Sequence, residues 1–152
     1  MEPRLDYYAI APDATKIMFE FEKYLQKTNL DTTLLELVKV RASQINGCAF
    51  CLDMHTKDAR ANGETEQRLY ALDAWRGTDF YTAKERAAMA LTEAITQISI
   101  NHVSDALYDE VRKAFNEKDF VDLIFAINTI NSWNRIAITT RAVPGIYQPA
   151  KK

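Results

Sequence analysis

Residues 36–55 read ELVKVRASQINGCAFCLDMH. Both cysteines of the chain, Cys48 and Cys51, stand in this stretch three positions apart, and one of its two histidines, His55, follows four residues after the second. Glu36 opens the stretch. A thiol pair, an imidazole and a carboxylate are the groups that reversible disulfide chemistry needs, and here they share twenty residues. The same stretch sets the fold. Leu34, Leu37, Val38 and Ile45 recur at helical spacing. Gly47 is a helix-ending residue, and Cys48 follows it directly. Two helices therefore meet at Gly47, the second opening on the cysteine pair.

Working outward, helical patterns continue in both directions. Only four glycines and four prolines occur in 152 residues, and they fall at the edges of periodic segments. No β-branched run alternates with period two. The pattern predicts an all-α bundle of about six to seven helices. A first helix is expected over residues 13–27, with Ile17, Phe21, Tyr24 and Leu25 on one face. Helices over 32–45 and from Cys48 to Asn62-Gly63 follow. A fourth runs over 65–75 and stops near Gly77. Thr82-Ala83-Lys84-Glu85 fits a capping box opening a fifth, rich in alanines that allow close helix approach. Val103 and Ser104 read as staple and N-cap of a sixth, ending near Phe115.

The last helix, over 119–140, contains FVDLIFAINTI at 120–130, where Asp122 is the only charge. A helix apolar on nearly all sides is buried on nearly all sides, either in the middle of the bundle or against another subunit. Trp75, Trp133, Phe120 and Phe125 read as core or interface residues. The tail after Ala142 reads as irregular.

Composition bounds the function. The length suits one domain over residues 1–152, large enough to bury a core without disulfides. A net charge of −2 gives no basic footprint for nucleic acid or an anionic membrane. No apolar run is long enough to span a bilayer, and MEPRLDYYAIAPDA carries no signal-peptide core. The expected location is the cytosol, where a close cysteine pair points to catalysis or metal binding rather than to a structural staple.

At a helix start, Cys48 and Cys51 meet free N–H groups and a partial positive charge, which favour the reactive thiolate. A three-residue disulfide closes too short a loop to add much stability. His55 shares a helix face with Cys51 and can exchange a thiol proton. Plainer readings stand beside these. The cysteines could be buried core residues. Glu36 could close a capping box with Thr33. His102 reads as a loop histidine. A structural zinc wants four ligands, and only His102 or a carboxylate remains to join Cys48, Cys51 and His55. A c-type haem needs histidine where Leu52 stands, and a thioredoxin-like site needs a βαβ context. No metal or cofactor is therefore expected.

Glutamate, eleven residues, Cys-X-X-Cys, three residues and histidine form a pattern. Carried by Glu36, Cys48-Ala49-Phe50-Cys51 and His55, it resembles the alkylhydroperoxidase D-like proteins of the carboxymuconolactone decarboxylase superfamily. The flanking text VKVRASQINGCAFCLDMHTKDARANGET and ERAAMALTEAIT extends the likeness from about Leu34 to Thr96. The resemblance implies an all-helical oligomer, a trimer or hexamer. It implies peroxidase activity on a hydroperoxide, returned by a dithiol reductant. Cys51 would attack and become a sulfenic acid, Cys48 would resolve it, and Glu36 and His55 would relay protons. Local chemistry alone favours Cys48, as the more exposed thiol at the helix start, for the attack. Phe50 departs from the pattern, because the best-known members carry a second histidine there. An apolar Phe50 also opposes the helix-end field. Two alternatives remain: a non-catalytic redox sensor that uses the disulfide as a switch, and a lactone decarboxylase-type enzyme, a branch that works without the cysteine pair.

Overall fold

A computed structural model describes residues 1–149. Ten helical segments occur among them, and no strand. They are α1 (Tyr7–Ile10), α2 (Pro12–Leu25), α3 (Thr32–Asn46), α4 (Ala49–Ala61), α5 (Glu66–Tyr70), a 3-10 segment (Leu72–Gly77), α6 (Ala83–Thr96), α7 (Ile98–Asn101), α8 (Asp105–Ala114) and α9 (Glu117–Thr140). The all-α class stands, but the expected six to seven helices become six long ones and four short ones. The helix expected over 65–75 is split at Ala71, where φ −89° and ψ 2° end α5, and the 3-10 segment that follows is itself kinked at Ala74 (φ −108°, ψ 22°). The short α1 and α7 bury no residue, so no apolar stripe announces them.

Capping explains most boundaries. Pro12 sits in the first turn of α2, where its missing N–H costs nothing. Thr82 and Glu85 form the expected capping box of α6, and Ser104 caps α8. The N-cap of α3 is Asp31, whose carboxylate accepts from the N–H groups of Thr33 and Leu34. That removes the proposed capping role for Glu36. Gly47 ends α3 at φ 67°, left-handed backbone that a side chain strains by about 1–2 kcal/mol. Its N–H bonds Gln44 O while that of Cys48 bonds Ser43 O. This Schellman arrangement turns the chain without a linker, and Cys48 itself caps α4.

The most enclosed helix is α3, not α9. Residues 34–40 are buried without a break, and α3 packs against α4, α6 and α9. The segment 120–130 is buried around most of its circumference. Leu123, Ala126, Ile127 and Ile130 enter the core, whereas Val121, Phe125 and Asn128 form an exposed strip. Asp122, the lone charge there, is buried and accepts from Tyr24 at 2.6 Å and from Lys118 at 2.5 Å. Trp75 and Phe120 are core residues as expected, while Phe125 is 43 % exposed.

A buried amide network locks α9 against α3. Asn46 donates to Asn131 at 2.9 Å and to Asn134 at 2.8 Å, Asn134 donates to Ser43 at 3.0 Å, and Asn131 donates to Thr96 at 3.0 Å. Asn134 is fully buried. Replacing it by leucine keeps the branched outline but strips Ser43 and Asn46 of a partner. Asn134→Leu is expected to lower stability by about 1–3 kcal/mol, read as a lower midpoint in urea unfolding.

Candidate active site

The unlinked turn at Gly47 folds α4 back along α3 and brings the four sequence-predicted residues together. Cys48 and Cys51 are joined as a disulfide, with their Cα atoms 5.4 Å apart, and Cys51 N–H bonds Cys48 Sγ at 3.3 Å. Both are buried, at 1 % and 2 % exposure, so Cys48 is not the more exposed thiol. It packs against Ala137 with Phe50 and Ala142 nearby. Cys51 instead lines a cavity of about 450 Å³.

Glu36 and His55 meet in the same wall. His55 Nδ1 lies 2.9 Å from Glu36 Oε2, and both residues are buried. Lys39, one turn along α3, approaches Glu36 Oε1 at 3.4 Å and bonds Glu22 Oε2 at 3.1 Å. Trp133 Nε1–H donates to Glu22 Oε1 at 3.1 Å. The result is an unbroken chain from Trp133 through Glu22, Lys39 and Glu36 to His55. Buried charges persist only when paired in this way. Burial by itself would raise the Glu36 carboxyl, but His55 and Lys39 outweigh it and hold the group below its ordinary 4.5. Burial would lower Lys39, but Glu36 and then Glu22 hold it above its ordinary 10.5.

The remaining walls are largely aromatic. Phe50 and Met54 come from α4, Tyr7 and Tyr8 from α1, Phe19 from α2, Trp133 from α9 and Tyr147 from the tail. The Trp133 ring packs tilted against those of Tyr7 and Phe19, at centroid separations of 6.4 and 5.4 Å. Glu36, His55 and Asp58 set one donor atom each within 4.8 Å of one another. Each already has a protein partner, and the Lys39 ammonium stands against Glu36. This suits proton transfer better than cation binding. His102 is exposed after α7, a loop residue as expected and remote from the site.

Sequence reasoning missed Glu22, Lys39, Asp58, Trp133 and Tyr147. Two of them left a signal. Lys39 is a charge within an apolar run, one turn from Glu36, and Asp58 lies one turn from His55 on the same helix. Glu22, Trp133 and Tyr147 reach the site only through tertiary packing.

Residues 12–94 match the carboxymuconolactone decarboxylase family. The chain belongs to this family. Over 138 residues it is 54 % identical to the uncharacterised protein YdfG of Bacillus subtilis, spanning 91 % of this chain and 94 % of that one. A crystal structure of a protein of unknown function from Agrobacterium tumefaciens, whose name suggests AhpD-type antioxidant defence, superimposes with a TM-score of 0.92. It is 36 % identical, with 96 % of this chain and 100 % of that one covered. The resemblance to alkylhydroperoxidase D-like members of the family therefore holds. The debrominase Bmp8 shares the fold, at a TM-score of 0.81 and 20 % identity over 91 % of this chain and 74 % of its own. No helix among the described residues is long and apolar enough to cross a membrane.

The depressed Glu36 carboxyl makes stability depend on acid. A group held below its unfolded value stabilises the fold above that value, and the contribution is lost as pH falls through the lower folded value. Thermal unfolding followed from about pH 6 to about pH 3 is expected to fall more steeply for the wild type than for Glu36→Gln. The difference between the two shrinks toward the acid end.

Proposed function

We propose that the protein is a thiol-dependent peroxidase that reduces hydroperoxides through a reversible Cys48–Cys51 disulfide. One observation carries this reading: Cys51 opens onto a cavity whose wall also holds the buried His55–Glu36 pair. Membership of the family and the likeness to an AhpD-named structure support it. Residues 1–152 would form one such domain.

The position of Cys51 at the start of α4 favours its thiolate. That thiolate attacks one oxygen of the hydroperoxide. The O–O bond breaks, Cys51 becomes a sulfenic acid, and the alkoxide takes one proton and leaves as an alcohol. His55, oriented by Glu36, supplies that proton. The Cys48 thiol then attacks the sulfenic sulfur. An S–S bond forms, the S–O bond breaks, and hydroxide leaves as water with the proton from Cys48. An external dithiol returns the pair to thiols by exchange. The cytosol, which keeps such dithiols reduced, is the fitting location. No cofactor enters these steps.

One equivalent of an alkyl hydroperoxide added to the reduced protein is expected to give the Cys48–Cys51 disulfide in the intact mass, as the loss of two hydrogens. Cys48→Ser should stop at the Cys51 sulfenic acid, and Cys51→Ser should consume no peroxide. Peroxide consumption by Cys51→Ser equal to that of the wild type would overturn the reading.

The working form is a homo-oligomer, a trimer or hexamer. Ile17, Phe21 and Tyr24 on α2 lie exposed beside Val121 and Phe125 on α9, with Phe21 and Phe125 stacked at 6.3 Å. Contiguous apolar surface of this kind marks an interface. Light scattering at micromolar concentration is expected to show the oligomer mass, and Phe125→Asp to reduce it. A monomeric wild type refutes the assembly.

A further inference from the structure

One pair of groups on the cavity wall has no part in the steps above. Asp58, one turn beyond His55, sets a carboxylate oxygen within 4.8 Å of a His55 ring nitrogen and of the Glu36 carboxylate. That is a separation one water molecule spans with two hydrogen bonds. The Tyr147 hydroxyl donates to Asp58 Oδ1 at 2.7 Å, although the two residues lie far apart in sequence.

Tyr147 belongs to the tail that follows α9, and the tail is seated on α4 at two other points. Gly145 N–H donates to Asp53 Oδ2 at 2.9 Å, and Lys57 Nζ donates to the Tyr147 carbonyl at 3.0 Å. Both of these bonds use tail backbone atoms. Neither needs the phenol, so the hydroxyl aimed at Asp58 is a chemically separate feature.

The peroxide step consumes a proton, and the groups that handle it are sealed. Glu36 is 6 % exposed and His55 is 4 %. Phe50, on the same wall, has no proton to give. Asp58 and Tyr147 are only half-buried and line the same cavity. They therefore form a polar link from the sealed pair toward the surface, on the opposite side from the Lys39–Glu22 chain of α3 and α2. We propose that Asp58 and Tyr147 are positioning residues of the proton relay, which return a proton from solvent to His55 after each O–O cleavage. The inference rests on the thiol peroxidase reading.

The charge pattern suits this role. Glu36 and Lys39 on α3, Glu22 on α2, and Asp53, His55 and Lys57 on α4 are the charged or titratable groups around the pair, with the Tyr7 hydroxyl across the cavity. Burial, and then the bond to Asp58, push the Tyr147 hydroxyl well above the usual tyrosine range. It stays neutral and donating at working pH.

The test follows disulfide formation after rapid mixing of reduced protein with alkyl hydroperoxide, at several imidazole concentrations. Tyr147→Phe and Asp58→Asn are expected to slow it about tenfold. That is less than the roughly hundredfold or more supplied by a group in direct contact with the reacting atoms. Added imidazole, a diffusible proton carrier, should restore both variants while leaving the wild type unchanged. Lys57→Met, which loosens the tail but keeps the hydroxyl, should react at nearly the wild-type rate. Wild-type rates in both Tyr147→Phe and Asp58→Asn overturn the inference. So does slowing without imidazole rescue, or Lys57→Met as slow as Tyr147→Phe, because the tail then acts only as a structural cover. If the wild type itself forms no disulfide, the thiol reading fails and this inference falls with it.

Discussion

Everything at the site depends on the two-residue junction between α3 and α4. Gly47 adopts left-handed backbone and Cys48 caps the next helix at once. With no linker, the two helices must double back on each other. Counting from Gly47 at about 1.5 Å per residue, Glu36 lies roughly 16 Å along one arm and His55 roughly 12 Å along the other. The offset is less than one helical turn, which the reach of a glutamate side chain closes. Spacing in the sequence thereby becomes a hydrogen bond in the fold. A longer connection would let the arms slide and would uncouple the carboxylate from the imidazole.

Much of this was legible before any coordinates. The glycine stop, the cysteine pair and the helical period located both arms. The class followed from scarce glycine and proline and the lack of alternating β-branched runs, and the starts of α6 and α8 from caps with an evident side-chain acceptor. Glu36 was ambiguous because Thr33 stands three residues before it, the spacing of a capping box. The structure resolves the ambiguity through competition: the Asp31 carboxylate takes two N–H groups, leaving Glu36 free to turn inward. The apolar run at 120–130 reads as buried on nearly all sides, and the bundle leaves only the strip of Val121, Phe125 and Asn128 outward.

What sequence could not supply was the company kept by the site. Tyr147 arrives on a tail with no periodic pattern, held by contacts to residues nearly ninety positions away. Glu22 and Trp133 come from helices whose own patterns speak only of amphipathic packing. Pairing between distant polar groups leaves no local mark, because each partner alone looks like an ordinary surface residue.

The asparagines of α9 have a further meaning. Were α9 to slip by one turn along α3, Ile130 or Ile138 would stand where Asn134 now faces Ser43 and Asn46, and Ile127 or Arg135 would replace Asn131. Each slipped state would leave buried amides facing hydrocarbon. The network thus acts as a key that admits one seating of a helix whose greasy surface would accept several. Trp133 and Ala137, which wall the cavity beside the cysteines, hold their places because of that key.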